Sequence, residues 1–173
     1  WLTRAEDRLF AALYNPRARF IQRSGEVDDD LVTFGTGVLF IGESHALDRL
    51  SFRSTHLRDA FIAENGDGEI DTVFLRLRLT ARQAAQRWGA DALGPKTREA
   101  LARGLLDEKF VFLQVVQPRP DRDPRRMDNR NLPFASLVID VDSEHKVGES
   151  GFHEFPFAVP RWDTASGEVY GRS

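Results

Sequence analysis

Cysteine is absent from this chain, and with it every disulfide and every thiolate metal site. The absence fits a reducing compartment. Long hydrophobic runs are missing too: no apolar stretch approaches the ~20 residues that a membrane-spanning helix needs, and no signal-peptide pattern stands at the start. Charge of one sign is also lacking. The 24 Lys and Arg stand against 27 Asp and Glu, leaving a formal net charge of −3. Both signs are mixed along the chain, so no global basic field declares a nucleic-acid binder, and any such role is local. What is present is ordinary for a folded protein. Hydrophobic residues make up 41% and charged residues 29%, which argues against disorder. The 173 residues suit one domain with a real core, or two small ones. The chain opens on Trp1 and stops at Arg172–Ser173, and the expectation is a piece of a longer protein.

Thr3 and Glu6 have capping-box spacing and predict a helix start, with Leu2, Ala5, Leu9 and Leu13 at helical spacing. Asn15–Pro16 interrupts it, because proline disfavours helix in the residue before it. A second helix is expected over 17–33, with Phe20, Val27, Leu31 and Phe34 on one face. Gly35–Thr36–Gly37 ends it. Val38, Leu39, Phe40 and Ile41 read as a buried strand, and 50–53 as a weaker one. Asn65–Gly66–Asp67–Gly68 is turn chemistry at the tip of a hairpin over 61–79, since glycine and asparagine tolerate positive φ. Thr80 with Gln83 forms a second capping-box pair, Pro95 suits the first turn of another helix, and Gly104 suits its end. Strands are expected over 109–116 and 134–141, with 145–149 pairing to the latter. An arginine- and proline-rich loop spans 118–133, and an extended surface segment spans 155–173. The sum is an α+β fold: N-terminal helices, then a mainly antiparallel sheet with two short helices. The expected division is a helical segment over 1–36 and a β-rich domain over 37–173.

Several patterns fail as chemistry. With Gly68 as the sixth residue of a calcium loop, the first ligand position is Ala63 and the twelfth is Phe74, neither of which can coordinate. Gly35–Thr36–Gly37 lacks the third glycine of a dinucleotide fingerprint and runs from helix to strand, the wrong order; a helix C-cap is expected. None of His45, His56, His145 and His153 has a second histidine four residues on, and no HExxH run exists. Ser44, His45 and Asp48 are triad residue types, but sequence neighbours rarely reach triad geometry, and Gly42 to Ala46 misses the last glycine of a nucleophile elbow. No catalytic residue, metal site or cofactor is nominated. The charge feature that remains is the loop carrying Arg119, Arg122, Arg125, Arg126 and Arg130. Those arginines suit phosphate or a partner's carboxylates. Asp121, Asp123 and Asp128 dilute them, and no aromatics interleave to stack on bases. A solvated or intersubunit loop is therefore weighed above DNA contact.

The carboxyl end carries a more specific signal. Glu149-Ser150-Gly151-Phe152-His153-Glu154-Phe155-Pro156 runs into Val159-Pro160-Arg161-Trp162, and then into Gly167-Glu168-Val169-Tyr170-Gly171-Arg172-Ser173. This set resembles the phage portal, or head-to-tail connecting, protein family of short-tailed phages and prophages. That family carries E-S-G-aromatic-x-E-x-P, then R-W, then G-E-x-Y-G-R-S-P in this order. Residues 30–39, 67–74 and 79–83 resemble the family's helix-to-strand segment, its hairpin and the helix start after it. The resemblance covers nearly the whole chain and is weakest over 89–104.

The resemblance implies a structural, non-enzymatic subunit of a homo-oligomeric ring, usually a dodecamer, at one vertex of the virion. Its implied partners are the packaging motor, the capsid shell, tail adaptor proteins and double-stranded DNA passing through the channel; no membrane is implied. Assembly would take place in the host cytoplasm. In the family the stem and clip follow the Y-G-R-S run, so this chain would correspond to the peripheral wing. Three other classes remain open: the first two are another head-tail adaptor or tail component, and a hydrolase gathering carboxylates from Glu43, Glu64, Glu149 and Glu154. A free-standing nucleic-acid module is the third.

Overall fold

The computed structural model describes residues 1–44, 47–123, 125, 126 and 128–173. The fold is α+β, with four α-helices and two antiparallel sheets among the described residues. It divides into two compact units: 1–58 with 156–173, and 59–155. The chain therefore leaves the first unit after Arg58 and returns to it at Pro156. This division by packing falls elsewhere than the expected 36/37 boundary, which follows the change from helix to strand.

In the first unit, α1 (Leu2–Leu13) has Trp1 as its N-cap and no side-chain cap bond. The Thr3/Glu6 capping box does not form, because the helix starts before Thr3 and leaves it inside the first turn. No residue of α1 is buried. Asn15 then makes a tight turn: its side-chain oxygen accepts from Arg17 N at 3.0 Å, and its carbonyl from Ala18 N at 2.8 Å. Arg19 sits in the left-handed region at φ 61°, so α2 begins only at Phe20 and runs to Phe34 (Phe20–Phe34). Gly35 caps it at φ 74°, where a side chain would be strained. A three-stranded sheet follows in the order β2-β1-β8, built from β1 (Leu39–Glu43), β2 (Leu50–Ser54) and β8 (Phe157–Ala158). Ala18, Val27, Leu39 and Phe52 form its buried cluster, with Leu13 and Phe20 packed against them.

The second unit is a meander, β3-β4-β5-β6-β7, with every neighbour antiparallel. Strand β3 (Ala60–Glu64) and β4 (Ile70–Thr80) make the expected hairpin. Asn65 Oδ1 accepts from Asp67 N at 2.9 Å and from Glu69 N at 3.0 Å, and Gly68 takes φ 80°. Thr80 and Gln83 form the complete capping box at the start of α3 (Ala81–Trp88), and α4 (Pro95–Ala102) opens on its proline. The remaining strands are β5 (Lys109–Pro118), β6 (Phe134–Asp140) and β7 (His145–Phe152). Alternation in β5 sends Phe110 and Phe112 to one face, where they meet Ala81, Ala84, Leu93 and Ala100 of the helical layer. Trp88 lies over Phe112 at 4.9 Å between ring centroids. Asp140 is fully buried but satisfied. It accepts from Thr97 Oγ1 at 2.8 Å and from Ser143 N at 3.2 Å, tying α4 to the β6–β7 turn.

Candidate functional site

The residues of the carboxyl-terminal motif have definite structural work. Glu149 lies on β7 and accepts from Arg119 Nη1 at 2.8 Å and Lys146 Nζ at 2.7 Å. Those two cations, Lys146 first, pull its carboxyl down to about 2 from 4.5. Ser150 presents its carbonyl to Arg119 Nη2 at 3.4 Å. Gly151 has no room for a side chain: a Cβ would stand 2.7 Å from the Phe134 carbonyl oxygen and 2.8 Å from Leu132 Cβ. Pro156 is buried and gives its carbonyl to Ile41 N at 2.8 Å.

Beyond Pro156 the chain becomes a strap across the Gly35–Thr36–Gly37 corner of the first unit. Gly37 N donates to the Pro160 carbonyl at 3.1 Å, and Trp162 N to the Gly35 carbonyl at 2.8 Å. Thr36, fully buried, accepts from Gly171 N at 2.8 Å. A Cβ on Gly171 would collide with the Gly35 carbonyl oxygen, and one on Gly35 with the backbone of Arg172. The strap also closes on itself. Arg161 Nη1 donates to the Val169 carbonyl at 3.1 Å, Arg172 N to Asp163 O at 2.8 Å, and Arg172 Nε to Glu168 Oε2 at 2.7 Å. Trp162 remains 65% exposed and Tyr170 is exposed as well, so these two aromatics of the motif serve no core here. The segment is extended, as expected, but it is fastened down rather than merely crossing a surface.

The arginine loop of the second unit is largely self-satisfied. Arg119 is the most enclosed of the five, its side chain only 8% exposed, held by Glu149 and by the Leu132 carbonyl at 3.2 Å. Arg126 pairs with Asp128 at 2.9 Å. Asn131 is the organiser that the sequence did not advertise. Its side-chain oxygen accepts from Asp123 N at 2.9 Å, and its amide donates to the carbonyls of Arg126, at 2.7 Å, and Asp123. Asp123 and Asp128 cap the backbone nitrogens of Arg125 and Arg130 at 3.0 and 2.9 Å. Arg122, Arg125 and Arg130 are left with exposed side chains.

Of the carboxylates considered for a hydrolase, Glu43 belongs to the first unit and Glu64, Glu149 and Glu154 to the second. Glu43 and Glu154 are exposed, and Glu149 is held ionised by its two cations. The triad types fare no better: Ser44 Oγ donates to Asp48 at 2.5 Å, and His45 lies outside the described residues. Among the described residues no group of three or more acidic and histidine side chains is placed to hold a metal ion, and no helix is long and apolar enough to cross a membrane.

A second arginine cluster, unforeseen in the sequence, lines a depression of about 550 Å³ in the first unit. Arg17, Arg19 and Arg23 come from the turn into α2 and its first turns, and Arg49 and Arg53 from β2 and the residue before it. Strand alternation puts Arg49, Ser51 and Arg53 on one side. Ala18 and Phe52, both buried, also line it. Arg23 pairs with Glu26 at 2.6 Å, Arg49 with Asp48 at 2.7 Å, and Arg17 approaches Asp48 at 3.8 Å. Glu26 is held below its ordinary range by Ser54 first and then Arg23, and Asp48 by the Ser44 hydroxyl first and then its arginines. The visible signal was weak, because the five arginines are scattered over a long stretch between apolar residues.

The whole chain, residues 1–173, matches the model of the bacteriophage head to tail connecting protein family. A portal protein of Salmonella phage epsilon15 is 29% identical over 145 residues, covering 83% of this chain and 26% of that protein. A probable portal protein of Bordetella phage BPP-1 is 29% identical over 114 residues, covering 65% of this chain and 20% of that protein. The chain thus spans about a quarter or less of the length of these relatives. With the match running from Trp1 to Ser173, the chain belongs to the bacteriophage head to tail connecting protein family.

Proposed function

We propose that this chain is a structural, non-catalytic part of a phage portal subunit, corresponding to the peripheral wing of a head-tail connector ring. The observation that carries the reading is the family match over the full chain, supported by relatives named as portal proteins. A fastened α+β body agrees with it. The strap over Thr36 and the Arg119–Glu149–Lys146 group hold surfaces in fixed shape, and a ring subunit needs that rigidity. In this reading the assembled ring carries the genome in and out, docks the packaging motor and tail, and resides at the portal vertex of the virion. The exposed Arg122, Arg125 and Arg130 are set to meet a neighbouring subunit or DNA.

Electron microscopy of the full-length protein purified alone tests the proposal. Rings with a central channel are the expected result, and their symmetry can then be counted. A compact monomer persisting at high concentration would overturn the ring and shift weight to an adaptor.

A further inference from the structure

We propose that the depression lined by Arg17, Arg19, Arg23, Arg49 and Arg53 is a binding site for phosphate oxyanions. It concerns the first unit alone and does not depend on ring formation.

Charge is the first argument. Five guanidinium groups border one depression; Glu26 pairs with Arg23, and Asp48 with Arg49 and, at longer range, Arg17. The excess is positive and concentrated, unlike the arginine loop of the second unit, where acids alternate with the arginines. Like charges bordering one depression repel one another, and an anion that enters offsets that repulsion.

Hydrogen bonding is the second. Arg23 and Arg49 are each three-quarters enclosed, and the Nε–H of each is buried without an acceptor. Each has one terminal nitrogen committed to its carboxylate. Their charge is therefore only partly compensated by the protein. Arg17 is 71% exposed at its side chain and Arg19 is exposed too, so their donor forks are available at the rim.

Geometry is the third. The arginines are held from two directions, by the left-handed Arg19 entry into α2 and by the alternation of β2. Arg53 is braced with its guanidinium 4.1 Å over the Phe40 ring. Guanidinium forks match the paired oxygens of phosphate and carboxylate alike. Phosphate is favoured because its oxygens point in several directions and can meet forks arriving from both elements, whereas a carboxylate offers one edge. The lining beneath is apolar, and among the described residues Ser51 is its only uncharged polar side chain, so the site reads charge and not base identity.

The source of the phosphate is settled by titrating the full chain with three probes: inorganic phosphate, a fluorescent duplex of mixed sequence, and a glutamate-rich peptide. Arg17→Glu with Arg53→Glu removes rim charge while leaving the enclosed Arg23 and Arg49 in place; Lys96→Glu with Arg98→Glu, both exposed on α4, is the control, and Arg122→Glu with Arg130→Glu reads the loop separately. Duplex binding that falls with salt, is displaced by phosphate, and weakens about tenfold or more in the first variant but not the control assigns the site to backbone phosphates. Thermal stabilisation by inorganic phosphate without duplex binding, lost in the first variant, assigns it to free phosphate. Arg53→Gln alone, with the fold checked by circular dichroism, should show the same effect in smaller measure. Binding of the peptide alone would overturn the proposal. So would the absence of any response, or a loss confined to the loop variant.

Discussion

Gly171 and Thr36 decide whether the carboxyl-terminal strap can lie down. The strap brings two backbones so close that a single methyl on Gly171 meets the Gly35 carbonyl. Gly171→Ala should destabilise the first unit by about 2–3 kcal/mol through forced backbone displacement. Chemical denaturation read by the exposed Trp162 would report it, and an unchanged midpoint would mean the corner is looser than its geometry. Glu149 has the corresponding place in the second unit. Glu149→Gln keeps the shape but removes the charge facing Arg119, whose side chain is enclosed; the expected loss is about 1.5–3 kcal/mol. These roles were not legible in sequence. Glu149 lies on β7 and Arg119 in the loop after β5, and nothing local marks either as the other's partner. The motif singled out Glu149 without giving it a partner, and the loop's composition singled out Arg119 for phosphate or a partner's carboxylates. The structure turns both inward.

At the scale of elements, two capping-box sequences had opposite fates. Thr80/Gln83 follows a strand, and the strand's end fixes Thr80 in the extended conformation a cap requires, with φ −72° and ψ 157°. Thr3/Glu6 has no such anchor, and α1 simply starts earlier. Thr80→Ala should therefore cost about 1 kcal/mol, whereas Thr3→Ala should leave the thermal midpoint unchanged. Hairpin, helix and strand positions in the second unit were readable because turn chemistry and alternation agree there with the packing. The short β8 was not, since two paired residues carry no periodicity, and its place beside β1 is a long-range decision. The depression lined by arginines was hidden for the same reason. Alternation in β2 was available in the sequence, but the partners from α2 arrive only through packing. Helix α1 forms where its spacing predicts a helix. Its apolar spacing suggests a buried stripe, yet Leu2 and Leu9 are exposed. Apolar side chains near the chain ends, Trp1 and Trp162 included, are where further segments of a longer subunit would be expected to pack.

At the scale of the whole molecule, acid should loosen the fold. Glu149, Glu26, Asp48 and Glu168 all lie below their ordinary values, because each accepts hydrogen bonds in its ionised form. A carboxyl whose folded value is depressed stabilises the protein fully above its unfolded value and loses that contribution as pH falls through the folded one. For Glu149 the window runs from 4.5 down to about 2. Asp30 acts in the opposite sense: burial raises it, so its ionised form opposes folding and protonation relieves that. The depressed groups outnumber it, so melting temperature should fall as pH drops below about 4.5, and Glu149→Gln should flatten that slope. A slope unaltered by the substitution would remove Glu149 from the account.

The route of the chain also dictates an order of events during synthesis. Residues 59–155 form a unit complete in itself, and they emerge from the ribosome before the strap does. Helices α1 and α2 and the β1–β2 pair are made first, yet β1 keeps an unpaired edge until residues 157–158 arrive, and Thr36 waits for Gly171. Translation therefore leaves an early, half-finished sheet exposed while a later one closes. An open strand edge is a site for pairing with another nascent chain. On a polysome, where copies of the same subunit are made side by side, the interval between Ile41 and Phe157 is the time in which correct closure competes with misassembly.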